Sequence, residues 1–155
     1  METTEEAKKT AEQVLQFVTF TLGNEEYAVD ILSVQEINRI TEITIVPNSP
    51  DYVEGVINLR GKVIPVINLR KKFGLADKET DDSSRIIIME IQGITNGLIV
   101  DSVSEVLRIL TNTIEPAPPM SSNISSQFIK GIAKLENRLI ILIDLDRLLG
   151  EAVEL

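Results

Sequence analysis

One block of this sequence occurs twice, and the repetition constrains the fold more than any other feature. Residues 55–74 align with residues 131–150 without a gap. Chance similarity is the alternative. We interpret the match as two copies of one small β unit, each too small to bury a large core alone. The aligned pairs include four identical ones, Gly55 and Gly131, Leu59 and Leu135, Leu69 and Leu145, and Gly74 and Gly150, and seven further pairs keep apolar character.

The apolar residues from Val14 onward come in short runs rich in Val and Ile, separated by turn residues at intervals of ~10, which predicts an all-β protein. The predicted turns are Gly23-Asn24, Arg60-Gly61 and Asn96-Gly97, each between two strands. The predicted strands cover residues 14–22, 26–31, 34–39, 56–59, 62–67, 85–91 and 98–100, with further strands in the block 131–150.

Other segments follow from local residue chemistry. Residues 32–39 fit either a helical stripe or a strand, and we favour a tight turn followed by a strand from Val34. Pro65 predicts an edge or bulge position, because proline cannot donate to a ladder. Asn68 is expected to cap a short helix that ends at Gly74. Residues 47–51 and 111–127 are predicted to be irregular, the second being the longest such segment.

These elements predict two subdomains within one fold. Residues 1–13 are expected to form a flexible tail, 14–80 the first β subdomain, 84–150 the second, and 151–155 a short C-terminal tail. The boundary falls in the charged connector, residues 76–84. The N-terminal segment lacks the apolar run of a signal peptide, and we expect a cytoplasmic protein without direct membrane insertion.

Composition restricts the possible chemistry. The chain has a net charge of −9, which opposes binding to nucleic acid, and it contains neither cysteine nor histidine. Thiolate chemistry and the commonest general base are therefore excluded, and we predict no catalytic residues, metal or cofactor. The acids of residues 77–82 are interpreted as a solvated connector, and Asp144 and Asp146 as a helix cap, with a metal site as the weaker alternative.

Comparison of the two copies isolates what belongs to only one of them. A second alignment pairs Val34, Glu36 and Ile37 with Val103, Glu105 and Val106, whereas Arg60-Gly61 becomes Glu136-Asn137. If the fold brings Glu36 near Arg60, opposite charges meet in the first copy, and Glu105 would face Glu136 in the second. The hypothesis is a Glu36–Arg60 pair at a recognition site, and the alternative is two solvated surface residues.

Residues 54–69, with the sequence EGVINLRGKVIPVINL, resemble the CheW family of chemotaxis coupling proteins. Residues 27–31, 34–37, 97–101 and 144–150 extend the resemblance over nearly everything from Val14 onward. It implies two intertwined five-stranded β-barrels of the SH3 type and a non-catalytic adaptor that joins chemoreceptor cytoplasmic tips to the regulatory domain of the histidine kinase CheA. By residue matching, the receptor-contacting residues are Val34, Glu36, Gly55, Asn58, Arg60, Val103 and Val106. Exposed strand ends around Asn96 and Gly97 are expected to contact the kinase.

Two alternatives remain at this point. A related adaptor could serve a receptor array outside chemotaxis, for example in surface motility. A small carboxylate-dependent enzyme would instead require convergent acids of perturbed pKa in a cleft.

Overall fold

The computed structural model describes residues 13–117 and 126–149, and strands make up most of the regular structure within these ranges. Two short helices, α1 (Leu69–Lys72) and α2 (Leu145–Leu149), each follow the second strand of a repeated block. The strands are β1 (Val14–Leu22), β2 (Glu25–Asp30), β3 (Val34–Arg39), β4 (Val53–Leu59), β5 (Lys62–Asn68), β6 (Arg85–Ile91), β7 (Ile94–Val100), β8 (Ser102–Leu110), β9 (Ile114–Glu115), β10 (Ile129–Leu135) and β11 (Arg138–Ile143).

The strands form two sheets with the same internal order. Sheet A runs β8-β1-β2-β11-β10-β9, and sheet B runs β3-β6-β7-β5-β4. The β2–β11 and β5–β7 contacts are parallel, and the other pairings are antiparallel. The all-β prediction is confirmed. Over the described ranges the pairings do not close either sheet into a ring, so the two units are best described as barrel-like sheets.

Each sheet exchanges a hairpin with the other half of the chain. The β1–β2 hairpin of the first half completes sheet A, and the β6–β7 hairpin of the second half completes sheet B. Neither sheet is therefore made from residues 14–80 or from residues 84–150 alone, and the two units are intertwined as the resemblance implied.

Three apolar clusters explain why the strands are so rich in isoleucine. One cluster lies inside sheet A around Phe17 and Leu142, and a second lies inside sheet B around Ile64 and Ile86. The largest fills the space between the sheets and includes residues of both, such as Phe20. Successive side chains of a strand point to opposite faces, so a strand such as β6 buries apolar residues on both.

The repeated glycines Gly55 and Gly131 lie where another segment crosses the edge of each sheet. Thr44 forms two backbone hydrogen bonds of 2.9 Å with Val56, and β9 pairs with β10 in the same way. A Cβ on Gly55 would lie 2.1 Å from the carbonyl oxygen of Thr44, and one on Gly131 would lie 2.9 Å from that of Glu115. Both positions favour glycine because a backbone passes over them, and the approach is much closer at Gly55.

Several local predictions are confirmed. A 3-10 turn at Ile31–Ser33 precedes β3, which resolves the ambiguity of residues 32–39 in favour of a turn and a strand. The Asn68 side chain accepts a hydrogen bond of 3.2 Å from the backbone N–H of Lys71 and so caps α1. Asp144 likewise accepts from the N–H of Arg147 at 3.1 Å, in agreement with its interpretation as a cap.

The predicted hairpin turn at Asn96-Gly97 is wrong. Both residues lie inside β7, opposite Met89 and Ile88 of β6, and the turn is formed by Gln92 and Gly93, both with positive φ. Gly97 is required for a different reason, because a Cβ there would lie 2.9 Å from the side chain of Ile86.

Two further predictions need correction. Pro65 does not lie on an edge strand, since β5 is paired on both sides; its parallel pairing with β7 begins only at Val66, so the missing donor is tolerated. The irregular segment 111–127 contains β9 and two 3-10 turns, at Thr111–Thr113 and Ser126–Phe128. Residues 118–125 and the predicted tails, apart from Gln13, lie outside the described residues.

A half-buried ion pair connects the two sheets where the chain passes from β7 to β8. Arg70, in α1, donates to Asp101 through Nε at 2.9 Å and through a terminal nitrogen at 2.5 Å. Asp101 also accepts from the N–H of Gly23 at 2.8 Å, and its own N–H donates to the carbonyl of Thr21 at 3.0 Å. We call this ion pair and its bond to Gly23 the clamp.

The clamp makes the stability of the fold depend on pH. Hydrogen bonding from Arg70 lowers the pKa of Asp101, and the Gly23 N–H acts in the same direction. Stability from Asp101 is therefore fully present above its unfolded pKa, near ~4, and is lost as pH falls through the lower folded value. We expect Asp101→Asn to reduce stability at pH 7 and to flatten the loss below pH ~4. Urea unfolding midpoints of both proteins between pH ~2 and ~7 measure this, and parallel curves would contradict it.

Candidate functional site

The Arg60-Gly61 turn presents a guanidinium at one end of sheet B. Arg60 has φ 52° and Gly61 has φ 85°, a combination typical of a tight two-residue hairpin. The side chain of Asn58 accepts a hydrogen bond of 2.9 Å from the N–H of Gly61, which holds the turn. Arg60 is 71% exposed in its side chain and is therefore accessible to a partner.

Glu36 receives this guanidinium from the opposite edge of the same sheet. Both terminal nitrogens of Arg60 bond to its carboxylate, the longer contact being 3.4 Å, and Asn38 donates to Oε1 at 2.8 Å. These hydrogen bonds, with that from Arg60 foremost, lower the pKa of Glu36 and keep it ionised. Because β3 and β4 are the two ends of the order in sheet B, the ion pair spans its open side. The structure thus confirms the Glu36–Arg60 pairing.

The expected repulsion in the second copy does not occur. Glu105 bonds Arg138 at 3.3 Å, and Arg138 also holds Glu26 through contacts of 3.0 and 2.6 Å. The arginine lies two residues beyond Glu136, at the start of β11, and its long side chain reaches the carboxylate from there. A contact between the glutamate of β3 or β8 and an arginine of the repeated hairpin is therefore common to both sheets, but only in the first copy does the arginine lie on the turn itself.

The seven predicted receptor-contacting residues divide between the sheets. Val34, Glu36, Asn58 and Arg60 belong to sheet B, whereas Val103 and Val106 lie on β8 of sheet A. Val34 and Val103 are half-buried against the cluster between the sheets, and Val106 is 50% exposed. Gly55 is buried and contacts the backbone of its own chain.

An apolar surface near β8 was missed by sequence reasoning. Val14 and Leu110 pair across β1 and β8 and are both exposed, and Leu32 is 91% exposed at the 3-10 turn before β3. Val14 and Leu32 help to line a surface cavity of about 360 Å³. The sequence contains little signal for this surface, because Leu32 fits the alternation of a strand that begins only at Val34.

Asn96 and Gly97 are not exposed strand ends, contrary to expectation. Asn96 is only 3% exposed in the middle of sheet B, and Gly97 is covered by Ile86. Two apolar residues near Asn96 in sheet B are exposed. They are Ile94, at the start of β7, and Val63, on the neighbouring β5.

The acids carry structural rather than catalytic signatures. The lowered pKa values of Glu36, Asp81 and Asp101 all come first from hydrogen bonds with neighbouring groups of the chain. Over the part of the chain that is described, no three acidic side chains converge in a way that could hold a metal ion. No helix in the same residues combines the length and apolarity needed to cross a membrane.

Two barrel-like sheets that share a core, with an exposed ion pair and apolar side chains along their edges, define a protein-interaction module. The CheW-like domain family matches residues 16–153, and the chain belongs to this family. As a member of a family of non-catalytic adaptors, it is not an enzyme.

Named relatives agree along most of their length. The chain is 40% identical over 135 residues to the chemotaxis protein CheW of Klebsiella aerogenes, covering 87% of this chain and 81% of the relative. It is 38% identical over 143 residues to CheW of Bacillus subtilis, covering 92% and 90%. The crystal structure of the scaffolding protein TtCheW from Thermoanaerobacter tengcongensis matches with a TM-score of 0.82 and 44% identity, covering 92% of each chain.

Proposed function

We propose that this chain is a chemotaxis adaptor that couples the cytoplasmic tips of chemoreceptors to the histidine kinase CheA. Family membership supports the chemotaxis role, because relatives along nearly the whole chain are named chemotaxis or scaffolding proteins. The observation that carries the receptor contact is the exposed Glu36–Arg60 pair on sheet B, with exposed apolar residues of β8 on sheet A. The protein would work in the cytoplasm, held at receptor arrays by its partners.

The receptor contact uses charge for orientation and apolar area for affinity. Glu36 fixes the guanidinium of Arg60, so little side-chain freedom is lost when the remaining N–H groups bond an acceptor on the receptor. The exposed side chain of Val106, with half-buried Val34 and Val103, would pack against apolar residues of a receptor helix.

The kinase contact is proposed for the end of sheet B where β7 begins. Asn96 and Gly97 are too buried to touch a partner, but Ile94 and Val63 expose 43% and 65% of their area beside them. The family resemblance implies that the regulatory domain of the kinase has the same barrel-like fold. An apolar end of sheet B suits contact with the end of such a second barrel. The expected contact is thereby shifted from the middle of β7 to its first residue.

A sedimentation experiment tests the coupling directly. Receptor-bearing membrane vesicles are mixed with CheA, with and without this chain, and the pelleted kinase is measured. We expect the kinase to pellet and its autophosphorylation to respond to receptor ligand only when the chain is present. Equal recovery of the kinase in the pellet without the chain would contradict the proposal. Binding of the chain only to receptors of a pathway other than chemotaxis would contradict it as well.

A further inference from the structure

Among the described strands, the clamp lies at the one place where the chain leaves sheet B and enters sheet A. Asp101 follows the last residue of β7, and β8 begins at the next residue. Its carboxylate bonds Arg70 on the side of sheet B and the Gly23 N–H on the side of sheet A. The Arg70 and Asp101 side chains are 14% and 15% exposed, so water weakens their attraction less than that of the Glu36–Arg60 pair.

The clamp also holds its own surroundings together. Arg70 donates to the carbonyl of Ala76 at 2.8 Å, which ties the connector between the two copies to α1. Next to Asp101, the hydroxyls of Thr21 and Ser102 are 2.7 Å apart, so the first residue of β8 is bonded to β1. Rotation of one sheet against the other at this point would break the bonds of Asp101 to Arg70 or to Gly23.

The proposed receptor surface depends on this relationship between the sheets. Val103 lies two residues beyond Asp101 on sheet A, and Val106 follows on the same strand, whereas Glu36 and Arg60 belong to sheet B. A partner that touches both sets of residues needs them at a fixed separation, because misplacement of one set costs contacts on the other.

We infer that Arg70 is a positioning residue for receptor recognition: by holding Asp101 and through it the start of β8, it fixes the two sheets relative to each other. It touches no partner itself. This inference rests on the proposed function, since it assumes that one receptor engages residues of both sheets.

The second copy has no equivalent clamp. In the repeat alignment Asp146 takes the position of Arg70, and it bonds only weakly to Gln92 at 3.4 Å. Asp30 is the last residue of β2 and occupies the place after the other hairpin that Asp101 occupies after β7. Its carboxylate accepts a hydrogen bond of 2.9 Å from the N–H of Leu32. The clamp is therefore specific to the β7–β8 passage and is not a requirement of the repeated fold.

The test measures geometry and binding separately. The chain has no cysteine, so Arg39→Cys on β3 and Ser104→Cys on β8 place one spin label on each sheet. We expect a narrow distance distribution in the parent protein and a clearly broader one with Arg70→Gln. Without labels, Arg70→Gln should bind the receptor tip about tenfold more weakly, with kinase affinity retained.

Two matched variants complete the design. Lys71→Gln changes the neighbouring residue of α1 and removes an ion pair with Glu54 at 3.2 Å that stays within sheet B; it should leave both the distances and the receptor affinity unchanged. Arg70→Lys keeps the charge but not the paired geometry, and an intermediate result is expected. If Arg70→Gln does not fold, as judged by circular dichroism, Arg70→Lys decides.

The outcomes separate the two proposals. A narrow distribution in the Arg70 variants would overturn the inference, and so would a broadened distribution with undiminished receptor affinity. Equal losses for receptor and kinase would indicate a purely structural role and would also overturn it. Absence of receptor binding by the unsubstituted chain would count against the proposed function, and the spin-label distances would still decide whether Arg70 fixes the sheets.

Discussion

Replacing Gly55 by alanine is expected to lower the free energy of unfolding by about 3 kcal/mol, enough to unfold much of a marginally stable domain. The added Cβ would lie 2.1 Å from the carbonyl oxygen of Thr44 and 2.9 Å from the side chain of Ile43. The φ of 150° is also one that residues with a Cβ rarely adopt. Relief requires Thr44 to move, and this breaks both of its hydrogen bonds to Val56.

The repeat supplies a control for this prediction. Gly131→Ala places a Cβ 2.8 Å from the Ile114 side chain and 2.9 Å from the Glu115 carbonyl, so its overlap with the crossing backbone is smaller than at Gly55. The backbone of Gly131 also does not have the positive φ that makes a Cβ unfavourable at Gly55. We expect a cost of about 1 kcal/mol, measured by urea unfolding of both variants. Equal stabilities, or a larger loss at Gly131, would show that the crossing segment does not determine the effect.

This expected loss changes how Gly55 should be understood. The residue matched a receptor-contacting position, yet its surroundings are the backbone of its own chain. Weaker receptor binding by a Gly55 variant is therefore evidence of contact only if its unfolding curve matches that of the unsubstituted protein.

Arg60→Gly is expected to weaken receptor binding by about tenfold or more while leaving the fold and the kinase contact intact. Glycine accepts the φ of 52° without strain, so the backbone of the turn is preserved while the guanidinium is lost. Arg60→Glu should have a larger effect, because a second carboxylate would then face Glu36. Titration of a receptor-tip fragment, followed by calorimetry, measures both.

Glu136→Gly is the matched control for Arg60→Gly. Glu136 has φ 42° in the corresponding turn of the second copy, so the same backbone change is made without removing an arginine. We expect receptor affinity to be unchanged in this variant. Undiminished receptor binding by both Arg60 variants would remove the turn from the proposed site, and an equal loss in Glu136→Gly would assign the effect to the turn backbone.

The strands could be predicted from the sequence because their signals are local. Val and Ile runs, turn residues and the Asn68 cap each act within a few residues, and β1 was found with its observed limits. The exchange of hairpins was not contained in such signals, because pairing between β1 and β8 depends on contacts far apart in the chain. The dipeptide Asn96-Gly97 is a second example, because its local chemistry favours a turn. Its burial against Ile86 and its pairing with β6 place it in a strand instead.

Within the candidate site, the ion pair between Glu36 and Arg60 is the feature that the sequence predicted best. Opposite charge and the repeat were sufficient to find Glu36 and Arg60. The partner of Glu105 was missed, because alignment compares residues at equal positions and does not include the reach of an arginine side chain from Arg138. The clamp was missed for a related reason, since Arg70 and Asp101 are close only after the sheets have exchanged strands.

The hairpin exchange also bears on how such a chain could have originated. A polypeptide consisting of one repeat would have its hairpin and its other strands in different sheets, so it could complete neither by itself. Two identical copies, each lending its hairpin to the other, would satisfy both sheets as a symmetric dimer. Fusion of the two genes would then give the present strand order, and each strand would keep the same pairing partners in its sheet. In a fused chain of this kind the two turns can differ, as Arg60 and Glu136 do.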